Sequence, residues 1–258
     1  MGNEVKVWNK VMSAAMDMPY TTVNREQFLR KELQQYCSPK DLKRAIKNPV
    51  DVLTVEQIDN LAKACINNHL WKVSSLSFVA GLPGGWALVG TIPADVAQYF
   101  SHTLAVAQKL AYLYGFPDLR DENGNMTETS QDLLTLFVGV MMGVGVANNT
   151  LKQASQAFAI QVAKRLPQKA LTKTAWYPVI KQVAKMLGVK LTKDTFSKGL
   201  SKAIPIFGGV LSGTLTAVTF KPAASRFQRK LREQMYLIHH SEGDEDDYDE
   251  AIYTEIIE

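Results

Sequence analysis

Three stretches without a single charged residue, each punctuated by glycine, constrain this chain more than any other feature of its sequence. They cover residues 73–94, 133–147 and 204–220. Crossing the hydrocarbon core of a bilayer takes about 20 apolar residues in a helix, so only the first stretch is long enough. That stretch is interrupted by Leu82-Pro83-Gly84-Gly85, closed by Pro93 and diluted by serines and threonines. Proline removes a backbone donor and clashes with the preceding turn, which predicts two short apolar helices meeting at a bend rather than one spanning helix. The pairs Gly81/Gly85, Gly139/Gly143 and Gly209/Gly213 repeat at four residues, a spacing that puts small side chains on one helix face and lets another backbone approach. Each helical glycine costs about 1 kcal/mol relative to alanine, so the segments must regain this in packing or in contact with a partner.

Helix start and stop signals recur along the rest of the chain, and alternating strand patterns are nearly absent. The fold class expected is all-α: one multi-helix domain with the glycine-rich apolar helices at its centre. A first helix is expected within residues 4–17, ending ahead of Met18-Pro19. Asn24 with Gln27 opens a second to about Tyr36, and Ser38-Pro39 opens a short basic helix to Lys47. Thr54 with Gln57 starts a long helix toward Leu76, and another runs from Pro93 to Tyr114 before the Gly115 and Pro117 stop. Residues 120–125 read as a surface turn. Later helices are expected over 128–147, 150–166, 175–187, 193–203, 207–220 and 223–238. Residues 1–50 then form an N-terminal helical extension, 51–240 the main helical domain and 241–258 an acidic, disordered tail.

Charge is divided unevenly. The net charge is +4, yet residues 242–258 hold nine acids and no base, so residues 1–241 carry 29 bases against the other 16 acids, a net of +13. Lys221, Arg226, Arg229, Lys230 and Arg232 concentrate part of this on one helix, a basic surface suited to an anionic membrane or to the chain's own acidic tail. The N-terminus shows no apolar secretory core and no myristoylation pattern, which points to the cytoplasm. Cys37 and Cys65 lack metal-ligand spacing and read as reduced thiols.

Catalytic signatures are sparse: there is no phosphate-binding loop, no Gly-x-Ser-x-Gly elbow and no His-Glu-x-x-His pair. The best polar constellation is Asp95, Gln98 or Tyr99, and His102 near one helical face, with Lys109 two turns on. A carboxylate and an imidazole so placed suit acid-base chemistry, although an aspartate in a first turn also answers the helix dipole. Asp95 and His102 are therefore candidates only, no metal or cofactor is expected, and no nucleic-acid motif is present.

Gly81-Leu82-Pro83-Gly84-Gly85, then Ile92-Pro93-Ala94-Asp95 with Gln98, and later Ile204-Pro205-Ile206-Phe207-Gly208-Gly209, together resemble the EcsC family of bacterial proteins over roughly residues 50–238. An asparagine associated with the last of these segments is replaced here by Thr216 or Thr219. The resemblance implies a mostly helical protein whose relatives are linked by gene neighbourhood to an ABC transporter and to protein secretion, without established catalytic residues. Gly81, Pro83, Gly84, Gly85, Pro93, Asp95, Gln98, Gly139, Gly143, Pro205, Gly208, Gly209 and Gly213 are the binding or packing positions it singles out together with the glycine spacing. The reading expected is a non-catalytic protein at the inner face of the cell membrane, whose glycine-rich segments bind anionic lipid or a membrane protein such as an ABC transporter, with oligomerisation left open. Two alternatives stand beside it: a soluble enzyme or ligand-binding protein with a pocket around Asp95 and His102, and a pore-forming effector.

Overall fold

Side-chain caps fix several of the helix starts. In the computed structural model, which describes residues 2–76, 94–160, 177–196 and 213–240, the Asn24 side chain accepts from the Gln27 amide and the Ser38 hydroxyl from the Asp41 amide. Thr54 and Gln57 form a reciprocal box. The Gln57 side chain accepts from the Thr54 amide at 2.9 Å. The Thr54 hydroxyl accepts in turn from the Gln57 amide at 3.2 Å. The helices are α1 (Asn3–Met16), α2 (Arg25–Leu33), α3 (Pro39–Lys47), α4 (Val55–Leu76), α5 (Ala94–Leu113), α6 (Glu128–Met141), α7 (Gly145–Ile160), α8 (Tyr177–Phe196) and α9 (Gly213–His240), with a 3-10 turn at Pro49–Asp51. No strand occurs among the described residues. One bridge, Arg120 to Met126, closes the turn that Asp121 organises by accepting from the Asn123 and Asn125 amides.

Glycine ends two helices in the same way. At Gly115 (φ +93°) the Phe116 amide donates to the Ala111 carbonyl and the Gly115 amide to Tyr112, the paired bonds of a Schellman stop. Gly143 (φ +72°) repeats it, with the Val144 amide bonded to the Gly139 carbonyl and the Gly143 amide to Val140. The helix expected over 128–147 therefore stops at Met141, and the one expected over 150–166 begins earlier, at Gly145, on the far side of the turn. Gly139 and Gly143 are not a matched pair on one packing face. Gly143 turns the chain, whereas Gly139 is a close-approach site: a methyl group there would sit 2.5 Å from Val183 Cγ1 of α8.

Other boundaries differ because packing overrides a local signal. The break expected between 187 and 193 does not occur. α8 continues through Gly188, where an added Cβ would overlap the Glu4 backbone of α1, so this glycine serves a helix crossing rather than a helix end. Nor does the break expected between 220 and 223 occur: Pro222 lies inside α9, and the one bond it removes is outweighed by a buried face of Phe220, Ala223, Ala224, Phe227 and Leu231. The expected helical segments 161–166, 175–176, 197–203 and 207–212, the bend expected around residues 82–85 and the tail 241–258 lie outside the described residues.

Helix α5 is the hub, packing against α1, α2, α4, α6 and α9, while α6 packs on α5, α7, α8 and α9. Residues 133–141 of α6 are all buried, so the described part of the second apolar segment is interior to the fold as far as the Gly143 turn. Trp8 donates to the Thr135 hydroxyl at 3.0 Å and packs edge-on to Phe100, while Phe137 meets Phe116 and Phe227. The first fifty residues share this core through Val5, Trp8, Val11, Phe28, Leu29, Leu33 and Ala45. Gln108 accepts from the Val23 amide and donates to the Thr21 carbonyl, and Arg25 donates to the carbonyls of Ile46, Lys47 and Phe116, which ties the α1–α3 region to α5 and its exit.

Candidate functional site

Two polar stripes meet where α4 lies along α9. On α4, Asp59, Lys63 and Asn67 recur every four residues; on α9, Lys221, Ser225, Gln228, Arg229 and Arg232 follow the helical repeat. Between them is a cleft of about 390 Å³, floored by Ile66 and by Asp59, which is buried. Asp59 accepts from the Tyr114 hydroxyl at 2.6 Å and pairs with Arg232 at 3.1 Å. Burial first, and then the bond to Asp59, push the Tyr114 phenol well above its ordinary range, so it stays protonated and donates.

Lys63, Lys221 and Arg229 have no carboxylate partner among the described residues. With Arg232 they place four cations around one buried carboxylate. The basic helix expected from the sequence is thus divided by use. Arg226 turns away from the cleft and donates to the Met141 carbonyl at 2.6 Å. It caps the C-terminus of α6, where the dipole favours a cation. Lys230 pairs with Glu233 at 2.6 Å on the surface. Trp71, one turn of α4 beyond Asn67, is largely exposed, unusual for an indole.

The face of α5 singled out in the sequence leads elsewhere. His102 lies across from His69 of α4, ring centroids 5.7 Å apart, and Lys109 Nζ is 2.9 Å from His69 Nε2. Protonated Lys109 can only donate, so Nε2 accepts and the imidazole proton sits on Nδ1, which is buried without a hydrogen-bond partner. Burial, with Lys109, His102 and Lys72 as like charges, lowers His69 to about 2. Burial and the same lysines lower His102, and burial lowers Lys109. The nearby Cys65 thiol is raised to about 12, again mainly by burial, which removes it as a nucleophile. Tyr99 faces away, packed edge-on to Phe220, and Gln98 is half-buried.

Asp95 belongs to α5, but its side chain lies outside the described residues, as do Gly81, Pro83, Gly84, Gly85, Pro93, Pro205, Gly208 and Gly209. Gly213 is the first residue of α9. Sequence reasoning missed Asp59, Lys63, Asn67 and His69; the four-residue repeat on α4 was the signal for the first three. A second cleft of about 340 Å³, between α1, α6 and α8, holds Asp132, whose carboxyl is raised to about 6 by burial and then by Glu128 one turn away. Among the described residues no group of His, Cys, Asp and Glu side chains is placed to hold a metal, and no helix is long and apolar enough to cross a membrane.

Compared with protein-family models, curated proteins and solved structures, the chain matches none.

Proposed function

We propose that this is a membrane-peripheral binding protein that docks on an anionic surface through the α4–α9 face, in keeping with the EcsC-like residues of the sequence. The observation that carries the reading is the set of three cations without carboxylate partners among the described residues, Lys63, Lys221 and Arg229, facing one cleft with the exposed Trp71 one turn beyond. Lysine and arginine near an anionic leaflet contribute about 1 kcal/mol each, and tryptophan favours the headgroup level, where its ring is half in hydrocarbon and its N–H remains hydrated. The docking face differs from the sequence-based expectation in one respect. Lipid contact is assigned to this basic face rather than to the second glycine-rich segment, because residues 133–141 are buried against the rest of the fold. A membrane protein with an acidic cytoplasmic face, such as a transporter subunit, offers the same charge pattern and is the partner the family resemblance favours.

Flotation with vesicles tests this. Wild-type protein is expected to float with phosphatidylglycerol vesicles, less so as salt rises, and to remain behind with phosphatidylcholine. Replacing Lys63, Lys221 and Arg229 with glutamine removes about 3 kcal/mol, a loss on the order of a hundredfold in partitioning. Full solubility of the wild type beside anionic vesicles at moderate salt overturns the proposal.

A further inference from the structure

We infer that the α4–α9 cleft is a binding pocket for a phosphomonoester group, an inference that rests on the docking reading only for the lipid as its source. Docking by charge alone needs no more than a convex patch of lysines. Here the cations converge on a concavity of about 390 Å³. That size lies within the usual range for small-ligand sites. Lys63 enters from the α4 wall, and Lys221 and Arg229 from the α9 wall. Arg232 is a guanidinium already oriented, because its partner Asp59 is fixed from behind by the Tyr114 hydroxyl.

Four cations against one carboxylate leave an excess of three positive charges in a small space, a repulsion that a bound anion relieves. Asn67 and Ser225 add neutral donors on opposite walls. This donor set fits a terminal phosphate better than a bridging one. A monoester presents three unsubstituted oxygens and close to two negative charges at the end of its chain, so it can enter a cleft head first. A diester carries one charge and is flanked by substituents on both sides. Arginine forks match phosphate oxygens in pairs, and Asp59 is a positioning residue, holding Arg232 rather than touching the ligand.

The test uses the full chain, with glycerol 3-phosphate as the monoester and dimethyl phosphate as the diester, followed by calorimetry and by amide chemical shifts. Vesicles of phosphatidylcholine doped with phosphatidic acid, or with phosphatidylglycerol at equal surface charge, supply the membrane arm. Glycerol 3-phosphate is expected to bind about tenfold more tightly than dimethyl phosphate and to shift amides of α4 and α9. K221Q/R229Q is expected to lose that binding at an unchanged melting temperature, and K40Q/K43Q on exposed α3 to retain it. D59N is expected to weaken it while its amide shifts still report a folded α4, since Arg232 loses its anchor. Monoester binding without flotation on phosphatidic acid upholds the pocket and removes the membrane reading. Flotation on both anionic vesicles alike, with no glycerol 3-phosphate binding, overturns the pocket and leaves the membrane reading standing. Equal loss in K40Q/K43Q and K221Q/R229Q also overturns it, because diffuse charge would then suffice.

Discussion

Acid should destabilise this protein through one buried imidazole. His69 is buried and lowered from 6.5 to about 2, chiefly by that burial and then by Lys109. Because the folded-state value is depressed, the unfolded chain takes up a proton below pH 6.5 that the native protein refuses. The contribution is complete above the unfolded value and is lost as pH falls from about 6.5 toward 2. At pH 5 this amounts to about 2 kcal/mol relative to pH 7.5. His102 is lowered too and acts in the same direction, whereas Asp132, raised to about 6, acts oppositely between 3.8 and 6. Comparing the wild type with H69Q cancels both. Glutamine keeps an acceptor for Lys109 Nζ and does not titrate. Urea unfolding at pH 7.5, 6.0 and 5.0 should show the wild type losing about 2 kcal/mol more than H69Q between the extremes, a midpoint difference of about 1 M. Parallel pH dependences for the two proteins would refute the assignment of a buried neutral His69.

Three further outcomes follow from the geometry. G188A and G139A should each destabilise by about 1–3 kcal/mol, since the new methyl meets the Glu4 backbone or Val183, while G145A, with open space around its Cβ, should be neutral or up to about 1 kcal/mol more stable in the same urea series. D132N should raise the melting temperature at pH 7.5, where the native carboxylate is held ionised against its surroundings; the gain should shrink as pH falls below 6 and vanish below 3.8, where the wild-type group is protonated in both states. Deleting residues 242–258 removes nine acids and raises the net charge from +4 to +13, so the shortened chain should be retained more strongly by anionic vesicles at equal salt, as flotation would show.

The parts of this fold that were legible in the sequence are those decided within one turn of chain. Ser38-Pro39, the Thr54/Gln57 box and the Gly115 stop need only local hydrogen bonds, and each stands in the structure. The stop at Gly143 and the continuation through Gly188 both depart from the sequence reading, in which 143 lies within one helix and 187 ends another. A glycine in an apolar helix signals either a left-handed stop or a close crossing, and the choice depends on what lies opposite: the chain turns at Gly143 into a new helix, whereas α1 crosses at Gly188. Pro222 shows the same limit, since a buried face can carry a helix through a proline. At the candidate site, the positive charge of α9 was evident, but not that Arg226 caps α6 or that Lys230 pairs with Glu233. His102 was visible; His69, the residue that gives it a neighbour, comes from another helix and had no local signal. Asp59, Lys63 and Asn67 form a polar row that a search at four-residue spacing would have flagged.

The most direct measurement of the docking claim is quenching of Trp71 by brominated lipid. Trp8 is buried in the core, while Trp71 stands in solvent beside the basic cleft. In a W86F/W176F background, which leaves buried Trp8 and exposed Trp71 as the emitters, vesicles containing phosphatidylglycerol and brominated phosphatidylcholine should quench the emission, and adding W71F should remove most of that quenching while the fold is kept. Quenching that is absent in that background, or unchanged on adding W71F, would contradict a membrane contact through the α4–α9 face.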